Sequence, residues 1–236
     1  MSRREIGRIA LVALFVTALV TAQLTASKVL AIPLPTGLPV VGATVFLPGA
    51  ALAYALTFFA SDCYAELYGR RETQVLVNVG FAMNFVLLAL VWSTILAPAA
   101  PTSVDPGQFA TVLGSSTNIV VGSLLAYVIS QNWDVLVFHA LRERTNGRYL
   151  WLRNIGSTAT SQALDTVVFV SVAFLAAPAL LGTGQPLDVA VVLALIAGQY
   201  LLKLLIALVD TPFVYAVVWF VDDDGVAESA NPWAVE

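Results

Sequence analysis

The chain has 236 residues, 59% of them hydrophobic and only 11% charged, where a soluble domain carries about a quarter charged residues. That balance excludes a water-facing surface of ordinary size, and the net charge of −4 is gathered largely in the tail, at Asp222, Asp223, Asp224, Glu228 and Glu236. A single cysteine, Cys63, excludes a disulfide framework and any Cys-x-x-Cys site, and a single histidine, His139, argues against a His-based metal centre.

Apolar runs of roughly 20 residues, the length a helix needs to cross hydrocarbon, predict an all-α, polytopic integral membrane protein with about six transmembrane helices. The first span is expected at about 9–31, after the basic start Arg3, Arg4 and Arg8. The run is too long for a signal-peptide core and no convincing cleavage site follows it. Within it, Ala18, Ala22 and Ala26 form a small-xxx-small ridge suited to close helix packing. Lys28, near its outer end, either snorkels to the headgroups or serves the interior. Pro33, Pro35 and Pro39 predict an extended connection.

The second span is expected at 46–67 and the third at 74–97. At the end of the second, Asp62 and Glu66 form an i, i+4 pair on one helix face, Gly69 suits a C-cap, and Arg70 and Arg71 suit the negative helix end. The constellation reads either as a capped helix end or as a cation or donor site. Residues 98–115, with Pro98, Pro101, Pro106 and Gly107, are expected to form the longest loop. The remaining spans are placed at 116–140, 156–182 and 189–221, the last long enough to tilt or to end in a turn near Pro212. One transmembrane domain, 1–221, is then followed by an acidic tail, 222–236.

Nine of the eleven basic residues fall at the N-terminus, after span two or between spans four and five, and the opposite loops hold none. The positive-inside rule puts both termini in the cytoplasm. The two others, Lys28 and Lys203, lie in apolar runs, as do Asp62, Asp134, Asp165 and Asp210 in whole or in part. Each intramembrane charge costs about 2.5–3.5 kcal/mol on insertion scales, which favours one shared polar interior. Spacing agrees. Gln199, Lys203 and Asp210 share a face of span six; Thr158, Gln162, Asp165 and Phe169 share one of span five; Ser123, Tyr127, Gln131, Asp134 and Phe138 share one of span four. Gln131-x-x-Asp134-x-x-Val137-Phe138 and Gln162-x-x-Asp165-x-x-Val168-Phe169 repeat one pattern in opposite directions, which predicts two aspartates at comparable depth. Lys203 paired with Asp165 or Asp210 is the purely structural alternative.

The run Asp62-x-x-x-Glu66-x-Tyr68-Gly69-Arg70 resembles the signature of the queuosine precursor transporter family, also called vitamin-uptake-like transporters. Ala26-Ser27-Lys28, Trp151-Leu152-Arg153-Asn154, Gln162-x-x-Asp165-Thr166, Gln199-Tyr200-x-x-Lys203 and Thr211-Pro212-x-x-Tyr215 fit the same pattern in order. Cys63, where a more aliphatic residue is expected, and the acidic tail depart from it. The resemblance implies import of 7-cyano- or 7-aminomethyl-7-deazaguanine for tRNA modification salvage, through the plasma membrane. It also implies a fold related to the substrate-binding subunits of energy-coupling-factor vitamin importers.

For such a base, a carboxylate accepts from adjacent ring and amine N–H groups, and Asp165 or Asp62 is expected to do so. Gln162 and Gln199 are expected to add hydrogen bonds, Lys203 to balance charge, and Lys203, Arg153 or a glutamine amide to meet the carbonyl. Glu66 or Asp134 would suit an aminomethyl group. Phe138, Phe169, Tyr200 or Trp133 would stack on the ring. No cofactor or metal is expected. The partners expected are the bilayer and a nucleobase-like small molecule, with a homodimer allowed and no direct nucleic-acid contact. The alternatives are a substrate-binding subunit served by a separate ATP-driven module, and an intramembrane enzyme. The second is disfavoured because Gly-x-Gly-Asp, Gly-x-Ser-x-Gly and His-x-x-x-His are missing.

Overall fold

Lipid offers no partner to a free backbone amide, so long apolar runs must close their own hydrogen bonds as helices. The computed structural model describes residues 3–38, 42–145 and 149–221; the tail 222–236, Pro39 and Arg148 lie outside the described residues. Its elements are α1 (Arg3–Thr25), β1 (Val29–Leu38), β2 (Gly42–Pro48), α2 (Ala51–Tyr68), α3 (Arg70–Leu96), α4 (Pro106–Gly114), α5 (Ser116–Arg144), α6 (Leu150–Ser171), a π-helical turn (Val172–Ala176), α7 (Ala177–Leu181) and α8 (Val189–Val221). Among the described residues, five helical stretches are long and apolar enough to cross a bilayer: α1, α3, α4 with α5, α6 with α7, and α8. The remaining expected span falls on α2, which has 18 residues including Asp62 and Glu66 and packs against α1, α3 and α8. The chain is a multi-pass helical membrane protein.

Where the chain departs from its apolar pattern, proline is the usual reason. The expected first span stops early: α1 ends at Thr25, and β1 and β2 pair antiparallel, with Val29 opposite Pro48 and Ile32 opposite Val45. Pro33 bars a helix across the preceding turn and, like Pro35, gives no N–H to the ladder, so the register shifts between Pro33 and Leu38. Lys28 consequently sits exposed in the turn before β1 rather than inside a span. The hairpin takes the first residues expected of span two as well. It seats directly on α8 at Gly198, where an added Cβ would lie 2.2 Å from the Phe46 carbonyl oxygen.

The 98–115 connection is likewise not all loop. Asp105 caps α4 by accepting from the Gln108 N–H at 2.8 Å, and Pro106 occupies the first turn, where it has no bond to lose. In α7, Pro178 cannot donate to the carbonyl one turn back. The chain widens into the π-turn, and the Phe174 carbonyl accepts from the Leu187 N–H instead, at 2.9 Å. α8 runs through Pro212 to Val221 without a break.

Two apolar clusters hold the bundle. One, near the hairpin, joins Ala22, Ala26, Ile119, Ala126, Phe169, Val170 and Leu195. The other, near the start of α1, joins Leu11, Phe15, Ala60, Cys63, Tyr64, Leu67 and Val214. The alanine ridge, Ala18 and Ala22 on α1 with Ala26 just beyond it, is buried within the chain.

Candidate functional site

α5 and α6 pack along most of their lengths, and α8 lies against α6. On α6, Gln162 and Asp165 are three residues apart and therefore share a face. Facing them, the Lys203 ammonium donates to Asp165 Oδ2 at 2.6 Å and to Gln162 Oε1 at 3.2 Å. The two charged side chains keep only 10% and 28% of their surface exposed, so each is the condition for burying the other. Asp165 Oδ1 accepts from Ser130 Oγ at 3.4 Å, which ties in α5.

A cavity of about 220 Å³ opens beside this junction, enclosed by α1, α2, α3, α5 and α6. Its polar lining includes Gln23, Ser123, Ser130, Gln131, Gln162 and Asp165, and its aromatic lining includes Phe15, Tyr54, Phe58, Phe81, Tyr127 and Phe169. Tyr54 and Phe169 have ring centroids 6.3 Å apart. On the other side of the junction lies a wider groove of about 590 Å³ between α2, α6 and α8, lined by Asp62, Thr158, Tyr200, Lys203 and Asp210 among others. Phe58 and Gln162 line both spaces and so form the partition between them. An apolar site with a few convergent polar groups is the usual form of a small-molecule pocket.

The structure gathers some of the expected residues and disperses others. Gln162, Asp165, Lys203 and Phe169 converge. Gln199 lies one turn from Lys203 in a narrow crevice with Pro48, Tyr54 and Phe58; it is buried and its Oε1 has no partner. Asp62 and Tyr200 line the groove, not the cavity. Lys203 chooses Asp165 over Asp210, and Asp210 instead neighbours Asp62. Glu66 is exposed and lines neither space. Arg153 is buried with its guanidinium 5.2 Å from the Phe138 ring centroid, so these two pair with each other away from the cavity. Trp133 is 43% exposed and stacks on nothing in the cavity.

Asp134 is also outside the cavity, and its partner explains the internal repeat. It lies 3.2 Å from Ser161 Oγ, as Asp165 lies 3.4 Å from Ser130 Oγ, and each hydroxyl shares its proton between that carboxylate and a carbonyl of its own helix, Thr158 or Tyr127. Each serine immediately precedes the glutamine of its own repeat, so the full pattern is Ser-Gln-x-x-Asp-x-x-Val-Phe, and the two copies bond crosswise. That register places the aspartates about 6 Å apart along the helix pair, one turn, rather than level.

The Asp62–Arg71 constellation divides similarly. Its basic partners come from α1: Arg4 Nη2 donates to the Leu67 carbonyl at 2.7 Å, and Arg8 donates to the Tyr64 hydroxyl at 3.1 Å and to Glu72 at 3.0 Å. The Tyr68 hydroxyl donates to the Arg4 carbonyl at 2.6 Å, and both guanidinium groups lie within 5.8 Å of the Tyr68 ring centre. Gly69, at φ +85°, turns the corner into α3. The motif is thus a clamp between α1 and the α2–α3 corner, with Arg70 and Arg71 exposed.

Spacing alone missed Gln23 and Tyr54. Gln23 carries the one amide side chain of α1, in its last turn, and Tyr54, Phe58 and Ser61 recur at helical spacing on α2. Among the described residues, no group of three His, Cys, Asp or Glu is placed to hold a metal.

A multi-pass helical bundle with a partly buried ion pair beside an aromatic-walled cavity is the arrangement these residues build. Residues 48–217 match the family model described as "Putative vitamin uptake transporter". A Bacillus subtilis (strain 168) protein, "Probable queuosine precursor transporter", is 35% identical over 172 residues, which cover 72% of this chain and 71% of that protein. No solved structure matches. The chain belongs to the vitamin uptake transporter family.

Proposed function

We propose that this protein imports queuosine precursors, the 7-cyano- or 7-aminomethyl-7-deazaguanine bases, across the plasma membrane for salvage into tRNA. The cavity beside Asp165 is the substrate site, and both termini face the cytoplasm, where the arginine-rich loops belong. The observation that carries this reading is the Asp165–Lys203–Gln162 junction beside an aromatic-walled cavity. It supplies acceptor, donor and stacking surface together, which a guanine-like lactam requires. Asp165 Oδ1, held only by a long bond from Ser130, is the acceptor for the base N–H edge. Phe169 and Tyr54 flank the ring. Asp62 and Asp210, across the partition, would meet a positively charged aminomethyl group on its way through the groove. The name of the Bacillus subtilis relative supports the substrate class.

The Ala18–Ala22–Ala26 ridge is buried inside the bundle and is not free to dock a separate ATP-driven module, which supports a self-sufficient importer. The reading is tested by melting the detergent-purified protein with both deazaguanines, using guanine and riboflavin as controls. A ligand at 100 times its Kd adds about 2.7 kcal/mol to the folded state. Stabilisation by the deazaguanines that is lost in Asp165→Ala is expected; stabilisation by riboflavin alone would reject the substrate class.

A further inference from the structure

Gln23 is 2% exposed, lines the cavity and has an Oε1 with no hydrogen-bond partner. Its orientation is fixed by a neighbour. The Ser123 hydroxyl has one proton and gives it to the Ile119 carbonyl at 2.6 Å. Ser123 can therefore only accept from Gln23, whose Nε2 lies 3.5 Å from Ser123 Oγ. The amide nitrogen faces Ser123 and the carbonyl oxygen is left over.

Gln162 is oriented the opposite way by the same logic. Lys203 has only donors, so it takes Gln162 Oε1 and leaves the Gln162 amide N–H groups to the cavity. Two of the three glutamines that line the cavity thus present opposite polarity, with Asp165 beside the second. A buried acceptor without a partner is rare in a finished core, and a ligand N–H is what would complete it. α1 lies outside the residues matched by the family model, 48–217.

We infer that Gln23 determines substrate specificity: its Oε1 accepts a hydrogen bond from an N–H on the edge of a planar base, while the Gln162 amide donates to the base carbonyl. The inference rests on the proposed substrate class and deepens it. A base lacking that N–H leaves Gln23 unpaired, so the cavity rejects it.

The test compares 7-cyano-7-deazaguanine with two analogues that each lack one donor, the 2-deamino base and the base methylated on its five-membered-ring nitrogen. Dissociation constants are measured for wild type and Gln23→Met, a side chain of equal length without the acceptor. The parent base is expected to bind the variant roughly 10- to 100-fold more weakly. One analogue is expected to bind wild type weakly by a similar factor and to lose nothing further in the variant. Gln23→Met should melt no lower than wild type in the absence of base, because the orphaned acceptor is gone; a structural glutamine would melt lower and bind unchanged. Unchanged affinity for the parent base in the variant overturns the inference alone. So does wild type that binds both analogues as tightly as the parent, a result that needs no variant. Wild type that binds no deazaguanine overturns the substrate class and the inference with it.

Discussion

Replacing Lys203 by methionine removes the charge that lets Asp165 stay inside the bundle. The ammonium is 2.6 Å from Asp165 Oδ2, and its loss leaves a carboxylate only 28% exposed with one long bond from Ser130. Breaking a buried pair by removing one partner costs about 3–5 kcal/mol; because Asp165 retains some exposure, the lower end, about 3 kcal/mol, is expected. For a chain of this size that corresponds to a fall in Tm of roughly 6–12 °C. The assay is a thermal melt of purified protein in one detergent at one pH, for Lys203→Met, Asp165→Asn and the double variant. Asp165→Asn alone strands a lysine that is 10% exposed and should cost at least as much. The double variant leaves no charge at this junction and should return to within about 1 kcal/mol of wild type. A single variant that melts with wild type, or a double variant that melts no higher than the singles, refutes the claim that the two charges license each other's burial.

Gly198→Ala would put a methyl group 2.2 Å from the Phe46 carbonyl, so the hairpin must shift; a loss of about 1–3 kcal/mol, read by melting, is expected. Ser130→Ala and Ser161→Ala each remove one bond of the crosswise repeat and should cost about 1 kcal/mol. Ser130→Ala should also alter base affinity because it touches Asp165, whereas Ser161→Ala should not; equal binding by both would contradict the separation of the two aspartates. Glu72→Gln breaks an ion pair whose side chains are 53% and 49% exposed, and the melt should move by less than about 1 kcal/mol.

The helices were legible because lipid permits little else for long apolar runs, and α8 in particular spans the residues its pattern indicated. The hairpin was not: Val29–Ile32 reads as a continuation of α1, and only the prolines beyond it carry the contrary signal. The same holds for α4, whose Asp105-Pro106 start was present in a segment judged by its prolines alone. At the site, Gln162, Asp165 and Lys203 could be put on facing stripes from spacing within α6 and α8. Which carboxylate Lys203 would choose could not, since that depends on the rotation of α8 against α6. Glu66 and Asp134 met the same criterion of an acidic residue in an apolar run, yet one faces outward and the other is held by Ser161. Gln23 and Tyr54 stayed hidden because their contribution comes from the packing of α1 and α2 around a cavity, a property of five helices together.

Uptake by the purified protein in sealed liposomes tests the central claim most directly. The account predicts that labelled 7-cyano-7-deazaguanine enters without any added ATP-driven module, is displaced by unlabelled deazaguanine but not by riboflavin, and stops entering in Asp165→Ala. Folded, correctly inserted wild-type protein that admits no deazaguanine, or admits it equally well in Asp165→Ala, would contradict it.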